Sequence, residues 1–211
     1  MLFRFPHSSW LPACRRLLLL LPALVLAAGL SARSLVKADV QLANNAVLAM
    51  YQDEDANMWI GTYDGLHLYN GKNTFVFRME LDNEFSLCSN IVLEIAPAEK
   101  GYLWAATSLG INKFSLRERR VVESYMQYVD VENIASDSEG NTVLFSGEDF
   151  ITCYRPGRAF FEDVYIPGVR AAEIVAVWSE APRVFCTLGR DGELVRYRLN
   201  DGEGKSLVRV S

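Results

Sequence analysis

The 211-residue sequence predicts an all-β chain, a partial β-propeller of about four four-stranded blades following an N-terminal signal peptide. Residues 45–69 (NAVLAMYQDEDANMWIGTYDGLHLY) align without a gap on residues 90–114 (NIVLEIAPAEKGYLWAATSLGINKF) at a spacing of 45. A repeat of this length marks a solenoid, a propeller or an array. Each unit divides into four short runs rich in branched and aromatic residues, which selects a propeller blade. The run around Trp59 is uncharged on both faces, so both faces must be covered, as they are when blades stack around an axis.

In chain order, residues 1–38 form a leader. Arg15 and Arg16 precede an apolar run of 14 residues from 17 to 30, short of the roughly 20 that span a bilayer and typical of a secretory segment. Cleavage after Ala32 or Ala38 fits the small residue at each position, and an uncleaved anchor is the other reading. The first blade, residues 45–80, has strands at 46–51, 58–62, 66–69 and 74–78, with turns at Asp53-Glu54-Asp55, Asp64-Gly65 and Asn70-Gly71. Asn70-Gly71 is expected to make a type I′ hairpin, because that turn requires positive φ at both central residues. The second blade, 90–126, repeats Trp59, Thr62 and Gly65 as Trp104, Thr107 and Gly110. Two weaker units follow, 131–163 with Val143 in place of the tryptophan and 171–210 with Thr187 and Gly192 standing for the turn residues. Four blades without a closing strand leave open apolar faces, so the chain is expected to continue or to be completed by another copy.

Removing residues 1–38 takes Arg4, Arg15, Arg16, Arg33 and Lys37 from 21 basic side chains and none from 26 acidic ones, leaving 16 against 26, a net charge of −10. Nucleic acid is therefore not an expected partner, since phosphate contacts need clustered Lys and Arg. Cys88, Cys153 and Cys186 remain, with no CxxC and no neighbouring histidine to complete a metal site. Cys153 and Cys186 lie in apolar runs and read as small buried hydrophobes, with a Cys153–Cys186 disulfide left open.

The pattern N-x-V-x-x-(I/M)-x-x-D-x-x-(G/N)-x-x-W-x-G-T-x-x-G-L-x-x-Y closely resembles the two-component regulator propeller repeat, strongly over 45–114 and weakly over 131–197. That resemblance implies the exported, periplasmic sensor region of a hybrid two-component system of the kind common in glycan-degrading Bacteroidetes. It further implies an oligosaccharide ligand, with more blades, a membrane helix and a histidine kinase on a longer chain. It does not imply that this chain transfers phosphate.

No catalytic constellation is visible and no cofactor is expected. His67, the one histidine outside the leader, reads as a strand-surface residue, and HExxH, P-loop and GxSxG motifs are absent. Asp53 with Asp55, and Glu148 with Asp149, would need to stand about 5 to 9 Å apart across a sugar to act as a glycosidase pair, and they read instead as solvated turn acids. Trp59 and Trp104 read as packing residues between blades, together with the repeat positions Thr62, Gly65, Thr107 and Gly110. Ligand-facing candidates are Tyr63, Asp64, Ser108 and Leu109, which flank the recurring glycines in loops gathered at one end of the ring. The function expected is a ligand-sensing propeller without activity of its own; the alternative is a freestanding exported propeller that acts as an interaction scaffold.

Overall fold

The computed structural model describes residues 40–125, 130–147, 150–158, 160–164, 166, 168–200 and 207–210. The expected leader and the pair Glu148 and Asp149 lie outside them. Four antiparallel meanders of four strands make four blades. Blade 1 comprises β1 (Val47–Gln52), β2 (Met58–Thr62), β3 (Gly65–Tyr69) and β4 (Thr74–Phe77). Blade 2 has β5 (Val92–Pro97), β6 (Tyr102–Thr107), β7 (Gly110–Ser115) and β8 (Arg120–Tyr125). Blade 3 is β9 (Val131–Ser136), β10 (Thr142–Ser146), β11 (Phe150–Tyr154) and the short β12 (Phe161–Asp163). Blade 4 follows a 3-10 turn at Ala171–Glu173 and holds β13 (Ile174–Ala181), β14 (Val184–Gly189), β15 (Leu194–Leu199) and β16 (Leu207–Arg209).

The innermost strands β1, β5, β9 and β13 lie side by side in sequence order, and no comparable packing joins β13 back to β1 among the described residues. Three apolar layers hold the arc together. Trp59, Leu66 and Leu68 of blade 1 meet Leu103 and Phe114 of blade 2. Trp104 and Ile111 of blade 2 meet Leu144, Tyr154 and Phe161 of blade 3. Val143 and Cys153 of blade 3 meet Phe185, Val195 and Tyr197 of blade 4. Such inter-blade burial is what each sheet needs, since a four-stranded meander cannot cover both its faces alone.

The two tryptophans are fully buried but fasten differently. Trp59 donates its indole N–H to Asp53 Oδ2 of its own blade at 2.9 Å, whereas Trp104 donates to Thr142 Oγ1 of blade 3 at 3.0 Å. Trp104 is ringed by Tyr154, Phe161 and Tyr125 with centroids 5.0, 5.3 and 6.2 Å away, spacings at which aromatic pairs add to simple burial. Close approach explains Gly61, where a Cβ would meet Val92 Cγ1 at 2.8 Å and the Val92 carbonyl oxygen at 2.9 Å.

Several local expectations need correction. Asn70-Gly71 does not form a type I′ turn. Tyr69 pairs with Thr74 across a four-residue loop, only Gly71 of the dipeptide has positive φ (86°), and the Asn70 side chain accepts the amides of Lys72 and Asn73. Asparagine here serves as an acceptor that caps the loop, a competing use of the same residue. Asp53 is not solvated. Its carboxylate is buried and accepts from the amides of Asp55 and Asn57, the Asn57 carboxamide and the Trp59 indole. Asp137 does the same work in blade 3 and also takes the Arg183 amide of blade 4 at 2.7 Å. Thr187 is not the turn threonine of blade 4, because it pairs mid-strand with Val195 on the face toward blade 3. His67 is fully buried rather than on the strand surface. Cys153 and Cys186 are both free: Cys153 points into the layer between blades 3 and 4, and Cys186 occupies the opposite face of blade 4, alongside Trp178.

Candidate functional site

An up-and-down meander sends every β2–β3-type turn and every blade-to-blade connection to the same end of the arc. Hydrogen bonds tie the two sets together there. Gly65 N–H donates to the Asn90 carbonyl at 2.7 Å, Ser108 to Ile91 at 3.1 Å, Gly147 to Asp130 at 3.1 Å and Arg190 to Glu173 at 2.8 Å. The turns of blades 1 and 2 are built alike. Thr62 Oγ1 donates to the Gly65 carbonyl and accepts the Asp64 amide, and Thr107 donates to the Gly110 carbonyl and accepts the Leu109 amide. Gly65 and Gly110 have φ of 113° and 146°, in the region that disfavours side chains.

Tyr63, Asp64, Ser108 and Leu109 all stand on this end, but in two turns, Tyr63 and Asp64 in that of blade 1 and Ser108 and Leu109 in that of blade 2. Tyr63 and Leu109 are about half exposed. Asp64 is held by the guanidinium of Arg78 through bonds of 3.0 and 2.9 Å, which keeps its carboxyl below the usual range. Ser108 shares a 2.8 Å hydroxyl contact with Ser89. None of the four lines the cavity at the junction of blades 3 and 4.

A half-open cavity on this end lies at the junction of blades 3 and 4 and has a volume of about 740 Å³, within the range of small-molecule sites. Its floor is Ile166, Val195, Tyr197 and Leu207, with Thr187 beneath; its rim carries Arg170, Arg190 and Arg209 beside Glu173, Asp191 and Glu193. The rim is ordered by its own contacts. Arg190 Nε donates to the Ala172 carbonyl at 3.0 Å, and Arg209 pairs with Glu193. Burial pushes the Tyr197 phenol above its ordinary pKa, so it stays a neutral hydroxyl. An apolar floor under paired charges of both signs suits a neutral polar molecule with an apolar face. Sequence reasoning missed this set because its residues are spread from 166 to 209 through the least repetitive part of the chain; the lengthened turn at Asp191-Gly192 was the available signal. Among the described residues no three His, Cys, Asp or Glu side chains gather as a metal site.

Sequence comparison decides the kind of repeat, because the two component regulator propeller model matches the segment that runs into the Thr62–Gly65 turn. Residues 41–64 carry a two component regulator propeller repeat. No curated protein matches the chain in sequence. Among solved structures, it is similar to the extracellular domain assigned to a hybrid two component system from B. thetaiotaomicron, with 20% identity and a TM-score of 0.60 over 81% of this chain and 25% of that one. A second such domain from B. thetaiotaomicron gives 18% identity and a TM-score of 0.58, over 82% of this chain and 22% of that one. A computationally designed protein gives 10% identity and a TM-score of 0.57 over 80% of this chain and 99% of that one. At these identities the likeness is one of fold. This chain spans about a quarter of the length of the two B. thetaiotaomicron domains.

Proposed function

We propose that the propeller is the exported, periplasmic ligand-sensing portion of a hybrid two-component regulator, that it takes an oligosaccharide at its loop end, and that it performs no chemistry itself. The observation that carries this reading is the two component regulator propeller repeat at residues 41–64 within an arc of four four-stranded blades. The likeness to domains of hybrid two component systems supports it. On this reading further blades and a histidine kinase belong to a longer chain. The blade 3–blade 4 cavity is the ligand site, with the pyranose face on Val195 and Tyr197 and the hydroxyls on the Arg and carboxylate rim. Tyr63, Asp64, Ser108 and Leu109 extend the contact surface along the same end. Calorimetric titration with a panel of neutral and acidic oligosaccharides tests the proposal. Saturable binding that is lost in Arg190→Ala and Arg209→Ala supports it, and the absence of binding by any saccharide removes the oligosaccharide from it.

The scaffold reading rests on a different observation, the apolar side chains at the two ends of the arc. Leu48 and Met50 are exposed on the outward face of blade 1, as are Trp178 and Val208 on that of blade 4. A discrete oligomer in light scattering, unchanged by saccharide, would favour it.

A further inference from the structure

His67 sits on β3, facing away from blade 2, and its ring is fully buried. Nε2 accepts the backbone N–H of Ala43 at 3.0 Å. The same bond recurs one repeat later. Forty-five residues on from Ala43 and His67 stand Cys88 and Asn112, and the Cys88 N–H donates to Asn112 Oδ1 at 3.1 Å. In both blades, then, the segment that leads into the blade is fastened to the third strand by one amide bonded to a buried side-chain acceptor.

The two acceptors differ in one respect that matters. A carboxamide oxygen accepts at any pH, and Asn112 is further fixed by donating to Ser124 Oγ at 2.8 Å and to Cys88 Sγ at 3.0 Å. An imidazole nitrogen accepts only while the ring is neutral. With Nε2 as acceptor the proton sits on Nδ1, which is buried without a hydrogen-bond partner.

We propose that His67 is an acid-sensitive latch, holding residues 40–46 over the outward face of blade 1 while neutral and releasing them when protonated. Protonation moves one proton from solvent to Nε2, which then points an N–H at the Ala43 N–H and leaves a cation in a site with no counter-charge of its own. The charged groups that bear on the ring among the described residues are Asp64 and Arg78, and these are already paired with each other. The carbonyls of Ile60 and Gly65 and the charge of Asp64 favour the protonated ring, and the charge of Arg78 opposes it. Burial, the largest influence, holds the imidazole below its ordinary value of 6.5. The sign follows: the unfolded or released chain binds the proton first, so the latched state is fully stable above about pH 6.5 and loses stability as pH falls below it. The segment over blade 2, held by Asn112, has no such dependence.

Hydrogen exchange on the full chain at pH 7.5 and pH 5.0, corrected for intrinsic exchange rates, tests this with an internal control. Within residues 40–46 the Ala43 amide, which bonds to His67, should lose at least tenfold in protection at pH 5.0, while the Cys88 amide within 85–91, bonded to Asn112, keeps its own. In His67→Asn, which installs the acceptor that blade 2 already uses, residues 40–46 should stay protected at both pH values. Should that variant fold poorly, following the His67 ring by NMR titration in the wild-type chain replaces it, with release of 40–46 expected to track the ring's own midpoint. Unchanged protection of 40–46 at pH 5.0 in the wild type, or equal loss in 40–46 and 85–91, or persistent acid release in a folded His67→Asn, would overturn the proposal.

Discussion

Lys113 projects from β7 into the junction of blades 2 and 3, where its ammonium contacts Glu99, lies 3.5 Å from Glu123 and donates to the Tyr154 hydroxyl at 2.9 Å. The rings of Tyr102 and Tyr154 stand 5.1 Å from it and that of Trp104 5.8 Å. The corresponding residue of blade 1 is Leu68, part of an apolar layer. Lys113→Met keeps the stem and removes the charge. Breaking a fully buried pair from one side costs about 3 to 5 kcal/mol, but the side chains of Glu99 and Glu123 are 25% and 41% exposed and can recover water. The expected loss is therefore about 2 to 3 kcal/mol. Denaturant titration followed by Trp fluorescence reads it, since Trp104 is itself a reporter of this junction. Glu99→Gln made together with Lys113→Met should recover part of the loss, a coupling of about 1 to 2 kcal/mol. Burial by itself would lower the Lys113 pKa, but the bonds to Glu99 and Tyr154 and the two carboxylate charges outweigh it and raise it. The difference between wild type and Lys113→Met should consequently hold constant from neutral pH to about pH 10 and shrink as pH rises further. A Lys113→Met protein as stable as the wild type, with coupling under about 0.5 kcal/mol, would refute an ionic role and leave the side chain as packing alone.

Trp104→Ala and Trp59→Ala should each cost about 3 to 5 kcal/mol by opening a cavity between blades, and a loss below about 1 kcal/mol in both by denaturant titration would contradict the burial seen. Asp53→Ala should cost about 2 to 3 kcal/mol through the donors left unsatisfied. Burial opposes its ionisation, yet the bonds from Trp59 and Asn57 hold the Asp53 carboxyl below its ordinary 3.8, so this contribution is present above that pH and fades as pH falls through the lowered value, which acid titration of the Asp53→Asn difference would show. In hydrogen exchange, amides of residues 91–107, flanked by a blade on each side, should outlast those of 172–187; equal protection would indicate that the outward face of blade 4 is covered.

The blades were legible in the sequence because a strand-turn-strand unit states itself locally. Trp59 and Trp104, the Thr62–Gly65 and Thr107–Gly110 turns and the alternation of branched runs all recur at one spacing, and each is dictated by residues within a few positions of each other. What the sequence could not show is which polar groups meet between units. The Asp53 carboxylate reads as a solvated turn acid until its four donors are seen around it. His67 reads as a surface residue because nothing in Leu66-His67-Leu68 announces that Ala43 lies across it, and the blade 3–blade 4 cavity joins Ile166 to Arg209 through a connection that repeats nothing. Lys113 stands between Asn112 and Phe114 on β7, and the approach of Glu99, Glu123 and, from the next blade, Tyr154 makes the buried charge tolerable. Periodicity fixes hydrogen bonds along the chain and the period of apolar burial, both short-range in sequence. Partners across a blade junction are brought together by the stacking of whole sheets, and burial there changes the energy of every charge it encloses.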